Sequence, residues 1–353
     1  MARDKKYYTL YKTLKGKILS GEYKPDQKLP SKRTMADMTS NSVITVQGAY
    51  DLLSDEGYIY SKERSGYYVA EFDPLYIKEA DNVRALPLLN EENDLPSGDF
   101  EYSVWFKTLR KVISDKGEKL FVKSPAKGCA VLRNAISEYL YRYRGMYAEP
   151  ERIIIGSGAE QLYDTVVRLF GRDKIYAIED PSYAQIETVY EGMGVTVEKL
   201  KMGSDGIESD ALISSRANVL HVTPFHSYPS GVTASAKKRH EYLAFANKNG
   251  GYIVEDDFDS EFFVPGNPIE SLYSLDSGNR VLYMNTFSKS LSPSMRMGYM
   301  VLPRDLLGKY DEKMSMYSCT VPVIDQYVLA EFIKSGNFER HLNRMRRKMK
   351  EIK

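Results

Sequence analysis

The apolar positions follow one rhythm over the first seventy residues and another over the rest. Tyr7, Tyr11, Leu14 and Ile18 recur at helical spacing, with Lys12, Lys15 and Lys17 on the other faces and Gly21 as the stop. After a turn, EYKPDQK, comes LPSKRTMADM, where Ser31 is the expected N-cap of a second helix and Met35 and Met38 are expected to face inward. Asn41 and Ser42 then cap a third helix, VITVQGAYDLLSDE, with Val46, Ala49, Tyr50 and Leu53 on one face and Gly57 at its end. YIYSKERSGYYVA alternates in two runs around Ser65-Gly66, which predicts a β-hairpin. Three helices and a hairpin in this order make a winged helix-turn-helix, its third helix shaped for a major groove and its hairpin for the flanking backbone or minor groove.

Residues 71–95 lack sustained periodicity and read as a linker. Beyond them, apolar strand-like runs alternate with amphipathic helical ones. The runs are RIIIGSG, KIYAIED, VTVEKL, ANVLHVTP, GYIVEDD, RVLYMNT and MGYMVLP. Strand–helix alternation over this length predicts an α/β domain with a mostly parallel sheet. No internal repeat or low-complexity tract interrupts it.

Composition narrows the class. A chain of 353 residues is too long for one typical domain. No stretch approaches the roughly 18–20 apolar residues of a membrane span. The start, MARDKKYYTL, lacks the apolar core of a signal peptide, and Cys129 and Cys319 show no metal or redox spacing. These features lead to the expectation of a cytoplasmic protein with no membrane partner. The net charge of +1 is uneven: residues 1–70 carry 12 Lys+Arg against 8 Asp+Glu (+4), leaving 37 against 40 (−3) for the remainder. A basic head on a slightly acidic body points to a nucleic-acid partner for the head, and the winged-helix reading makes that partner double-stranded DNA.

The wording of that head resembles the GntR family of bacterial transcription regulators. The shared words are Leu29-Pro30-Ser31-Lys32-Arg33, Thr45-Val46, Ala49-Tyr50, Leu53, Glu56-Gly57 and Ser65-Gly66. The resemblance implies that Arg33, Ser42, Thr45 and Gly66 lie at the DNA. It also shows a departure: the usual arginine after the helix cap is Val43, which cannot pair with a guanine or a phosphate.

In open α/β sheets ligands sit beyond the carboxyl ends of the strands. The residues there form a pattern. Gly156-Ser157-Gly158-Ala159 opens a helix whose backbone N–H groups suit a phosphate. Pro181-Ser182-Tyr183 offers an aromatic ring for stacking, PFHSYPSG carries His226, Tyr228 and Ser230, and Glu255-Asp256-Asp257-Phe258-Asp259 is an acidic cluster at a buried strand end. NTFSKSLSPSMRMGYMVLP then sets Thr286, Ser288, Lys289 and Arg296 between two apolar runs. Each piece alone has a plain structural explanation as a turn, a core aromatic or a solvated loop. Together they supply a phosphate cup, a ring stack, a carboxylate to keep a pyridine nitrogen protonated, and an amine able to form a Schiff base. That set describes a pyridoxal 5'-phosphate (PLP) site.

Residues 96 to the end resemble the fold type I aminotransferases. The markers are LRNAISEYLYRYRG, EDPSY, YPSG, VEDDFDSEF and TFSKSLSPSMRMGY. A GntR head on such a body is the architecture of the MocR subgroup. The resemblance implies an internal aldimine at Lys289, Asp256 at the pyridine nitrogen and Tyr183 on the ring. The phosphate falls to Thr286, Ser288, Arg296 and the Ala159–Glu160 backbone. Tyr228 stands where aminotransferases place the asparagine of N-P-T-G, and Phe258 replaces a tyrosine that would contact the ring oxygen. Glu160 would repel a phosphate if it pointed inward. The chain stops at Lys353, after the basic stretch ERHLNRMRRKMKEIK. In the family a small C-terminal domain carrying the arginine for a substrate carboxylate follows at that point. The resemblance thus leads to the expectation that this small domain is missing, by truncation or by loss of ordinary amino-acid recognition. A homodimer is implied, because fold type I sites are shared between subunits.

The expected domains are a winged helix over 1–70, a linker over 71–95 and an aminotransferase-like domain over 96–353. The function implied is a DNA-binding transcription regulator, not an enzyme, that senses PLP, an amine or an amino acid through Lys289. Two alternatives stay open: an aminotransferase with a DNA-binding head, and a repressor whose dead cofactor pocket serves as a dimerisation scaffold.

Overall fold

The computed structural model describes residues 6–63, 65–71, 100–262 and 270–351. The chain divides into two compact units, Met1–Asn93 and Asp94–Lys353. Beyond Glu71, the linker expected over 71–95 lies outside the described residues.

The smaller unit contains α1 (Lys6–Leu19), α2 (Lys32–Thr39), α3 (Val43–Asp55), β1 (Ile59–Lys62) and β2 (Gly66–Val69). Its core gathers Leu10, Tyr11, Leu14 and Ile18 of α1, Met35 and Ala36 of α2, and Val46, Ala49, Tyr50 and Leu53 of α3. Leu10, not Tyr7, completes the buried stripe of α1, while Tyr7 lies half-buried against Gly48. Met38 is 66% exposed, contrary to the expectation from spacing. Burial in α2 centres between Met35 and Ala36, and at 3.6 residues per turn that direction leaves Met38 about 110° away. Ser42 alone caps α3, its side chain accepting from Thr45 N–H; the Asn41 N–H goes back to Ala36 O. The hairpin pairs Ile59 with Val69 and Lys62 with Gly66, and Tyr50 Oη donates to Pro30 O to tie α3 to the start of α2.

The larger unit holds an eight-stranded sheet in the order β3-β10-β9-β8-β7-β4-β5-β6. Its strands are β3 (Ile153–Gly156), β4 (Ile175–Asp180), β5 (Thr196–Gly203), β6 (Gly206–Ile207), β7 (Val219–Val222), β8 (Tyr252–Asp256), β9 (Val281–Thr286) and β10 (Gly298–Val301). All seven runs read from the sequence are strands. The two-residue β6, antiparallel to β5, was not foreseen because so short a segment carries no periodicity. From β9 to β5 the pairing is parallel, and only β10 runs against both neighbours within the main body.

Helices cover both faces: α4 (Tyr102–Lys116), α5 (Ala130–Tyr139), α6 (Ala159–Phe170), α7 (Ala184–Gly192), α8 (Ser209–Ser214), α9 (Ala236–Asn249), α10 (Leu272–Leu275), α11 (Phe287–Ser290), α12 (Leu307–Met314), α13 (Val323–Lys334) and α14 (Asn337–Glu351). Side chains of one strand alternate between two cores. Ile153, Ile155 and Tyr283 join the core of α4, α5 and α13, whereas Ile154, Leu282 and Met284 join that of α6 and α7. Burial on both faces explains the unbroken apolar runs. The carboxyl ends of β3, β4, β7, β8 and β9, with the start of β10, consequently meet at one edge of the sheet.

Candidate functional site

A cavity of about 340 Å³ opens at that edge, and all nine residues singled out for the cofactor line it: Ala159, Glu160, Tyr183, Tyr228, Asp256, Thr286, Ser288, Lys289 and Arg296. They are separated by up to 137 positions in sequence, and the strand order brings them together.

At one end lies the first turn of α6. Gly158 precedes it with φ +94 and no side-chain cap. A Cβ there would sit 3.1 Å from an Arg296 guanidinium nitrogen, so the bare backbone lets Arg296 lie against the helix start. Arg296 itself is left-handed, with φ +42. Its Nη2 is 2.9 Å from Glu160 Oε2, both side chains being about half exposed. Thr286 and Ser288 also line the cavity, their hydroxyls without a hydrogen-bond partner among the described residues.

At the other end is Asp256, 5% exposed at the end of β8. Tyr163 Oη of α6 donates to Asp256 Oδ2 at 2.6 Å. His221, fully buried on β7, shares its Nδ1 with Tyr190 Oη at 2.7 Å and turns Nε2 toward Asp256 Oδ2, 3.6 Å away. Tyr163 thus fixes the carboxylate, with the buried His221 Nε2 close to it but not hydrogen-bonded. Neither was singled out beforehand: a lone tyrosine in a helix and a lone histidine in a strand look like ordinary core residues.

Between the ends, Lys289 on α11 projects its ammonium over the rings of Phe258 and Phe262, 5.1 and 5.5 Å from their centroids. It is paired with Asp259 Oδ1, and Asp259 Oδ2 is 3.0 Å from His226 Nδ1. Asp259 is a site residue that the sequence showed only as part of an acidic run. Its distance of three positions from Asp256, past the turn that ends β8, was the available signal. Tyr183 and Tyr228 stand at the mouth, edge to face with centroids 6.1 Å apart. The loop of Tyr228 is anchored by Glu179: its Oε2 meets the Ser227 hydroxyl at 2.6 Å and its Oε1 accepts from Thr223 N–H. Burial pushes the Glu179 carboxyl up to about 8, against the pull of those two bonds.

The donor set fits PLP. An uncapped helix start and a guanidinium suit the phosphate, a buried carboxylate suits the pyridine nitrogen, and an amine lies between them. The two misfits are the Glu160 carboxylate on Arg296 and the Phe258 ring, which has no hydroxyl to offer.

In the smaller unit, Arg33, Val43, Ser65 and Gly66 line a groove with Lys28 and Lys32. The Arg33 guanidinium has no partner among the described residues. Ser42 and Thr45 meet beside it at the start of α3, their hydroxyls 2.9 Å apart. Val43 and Ile44 are exposed there. The four residues expected at DNA therefore lie at the starts of α2, α3 and β2.

Residues 6–69 match the bacterial regulatory proteins of the gntR family, and residues 88–352 match aminotransferase class I and II. The chain is 36% identical over 351 residues to the uncharacterized HTH-type transcriptional regulator YdeL of Bacillus subtilis, covering 97% of this chain and 76% of that one. It is 30% identical to the probable rhizopine catabolism regulatory protein MocR of Rhizobium meliloti, over 96% of this chain and 73% of that protein. With the pyridoxine biosynthesis regulator PdxR of Corynebacterium glutamicum it shares 29%, over 94% and 73%. Among solved structures, the α-aminoadipate aminotransferase LysN of Thermus thermophilus superposes with a TM-score of 0.64 at 26% identity. That match covers 72% of this chain and 66% of LysN, which was crystallised with N-(5'-phosphopyridoxyl)-L-leucine. The chain thus spans about three quarters of its regulator relatives and just under two thirds of that enzyme.

Proposed function

The chain belongs to the MocR subgroup of the GntR family of transcription regulators, and from that premise we propose that it binds operator DNA through α3 and the hairpin and senses PLP, or an amine presented to it, at Lys289. The observation that carries the reading is the convergence of all nine expected residues on one cavity of a chain that also holds a winged helix. When bound, PLP supplies an aldehyde open to attack by an amine and a ring that draws electrons once its nitrogen is protonated.

The chain's own groups prepare that encounter. The Asp256 carboxylate, hydrogen-bonded by Tyr163, would face the ring nitrogen and favour its protonated form. Lys289 must shed a proton before it can attack a carbonyl. In the free protein Asp259, shared with His226, holds that ammonium in an ion pair, so the pair must open before Lys289 can react. The uncapped N–H groups at the start of α6, with Arg296, would hold the phosphate. The role is regulatory rather than enzymatic: YdeL, MocR and PdxR, whose matches span both units of this chain, are named as regulators, and Phe258 and Glu160 both weaken the grip expected of an aminotransferase.

The test pairs a visible absorption titration with PLP and a DNA mobility-shift assay, on the parent and Lys289→Ala. A lysine-dependent band, with a DNA response to PLP that the variant loses, is the expected result. A variant that responds to PLP on DNA as the parent does would refute the sensing role. A silent scaffold would show no band at all.

A further inference from the structure

We propose that Glu160 is a built-in competitor for the phosphate cup: its carboxylate occupies Arg296 in the free protein and raises the concentration of phosphorylated ligand needed to fill the cavity. The inference rests on the reading of the cavity as a PLP site and concerns how that site sets its threshold.

Glu160 is the second residue of α6 and the acidic residue of its first turn. A negative charge in that position is favoured by the partial positive charge of the helix start. Its Oε2 also holds Arg296 Nη2 at 2.9 Å. The carboxylate therefore occupies the guanidinium directly and places its charge beside the helix start, where it makes no capping hydrogen bond. Glu160 engages Arg296 only through Nη2, and the guanidinium lies against Gly158, where a Cβ would be 3.1 Å from it, so a second anion has to share the faces left open.

An incoming phosphate, carrying between one and two negative charges, must displace Glu160 or sit beside it. Displacement costs the ion pair; coexistence costs like-charge repulsion. Both side chains are about half exposed, so water and salt screen either cost and keep it modest. The carboxylate can also swing outward, which makes occupancy reversible. A sensor gains from this arrangement, because a ligand held too tightly would never leave when its concentration falls.

Glu160→Gln keeps the length and the ability to hydrogen-bond but removes the charge. PLP and pyridoxal, which lacks the phosphate, are titrated into the parent, Glu160→Gln and Lys289→Ala, following the visible band, with circular dichroism as the check on folding. Glu160→Gln should bind PLP about tenfold more tightly than the parent, the size expected of a screened surface charge acting on a multivalent anion. Pyridoxal should bind both within about twofold, and inorganic phosphate should compete with PLP more effectively in the variant. Equal PLP constants in parent and variant, with the lysine-dependent band intact, would overturn this inference alone. Equal tightening toward pyridoxal would also overturn it, by showing that Glu160 acts on the amine. Absence of a band with either ligand in both proteins would overturn the PLP reading and this inference together.

Discussion

Replacing Glu179 by glutamine should make the large unit more stable at neutral and alkaline pH and leave it little changed in mild acid. Glu179 is fully enclosed beneath the loop that carries Tyr228, and burial pushes its carboxyl up to about 8, with nearby Asp256 adding a smaller upward push. In the unfolded chain it titrates near its ordinary value of 4.5. Between those two values the unfolded chain has released a proton that the folded one keeps. Unfolding is therefore favoured progressively as pH rises through the window. The slope is at most about 1.4 kcal/mol per pH unit for this one group, so from pH 5 to pH 7.5 the loss approaches a ceiling of about 3 kcal/mol. Glutamine does not titrate. Its carbonyl can still accept from Thr223 N–H and its amide can donate to the Ser227 hydroxyl, so both bonds at the site survive. The assay is urea unfolding at pH 5 and pH 7.5, followed through Trp105, the only tryptophan, which lies in the core of the large unit. The gap between the two proteins should be under about 1 kcal/mol at pH 5 and should widen by up to about 3 kcal/mol by pH 7.5. Parallel profiles would refute the reasoning, since they would mean that Glu179 ionises inside the fold near its ordinary value. Glu179→Leu, which keeps neither bond, should be destabilised at both pH values.

Two further substitutions probe the ends of the molecule's chemistry. Gly158→Ala should cost about 1–2 kcal/mol, because it forces a side chain into a left-handed φ and toward Arg296. The loss should appear in the urea midpoint, and PLP binding should weaken while pyridoxal binding does not. Val43→Arg restores a guanidinium at the exposed start of α3; if it reaches one phosphate, the plot of log affinity for DNA against log salt steepens by about 0.9. An unchanged slope with folded protein would place the start of α3 away from the backbone.

What the sequence disclosed follows from how each element is buried. The strands were legible because both faces of the sheet are covered, which turns each of them into a continuous apolar word bounded by polar turns. The nine cavity residues were legible because they follow strand ends. Their partners were not. Asp259 and Lys289 are 30 positions apart, Glu160 and Arg296 are 136, and only the order β3-β10-β9-β8 makes either pair adjacent. Met38 misled for a different reason: in a helix of two turns, one neighbouring residue decides which way the buried face turns.

These unforeseen pairs bear on what kind of ligand the cavity can register. In the free protein its two cations are already neutralised, Lys289 by Asp259 and Arg296 by Glu160. A ligand gains nothing by meeting a charge that is already met; it must replace a partner. Pyridoxal can replace only the partner of Lys289, and inorganic phosphate only that of Arg296. PLP carries both groups on one frame, and once either end is engaged the other replacement becomes intramolecular. A ligand shifts an equilibrium only by the difference in its affinity for two states, and only the whole cofactor can rearrange both pairs at once. Under the proposed function, the same two internal ion pairs that weaken the site also make it answer to the whole cofactor rather than to its fragments.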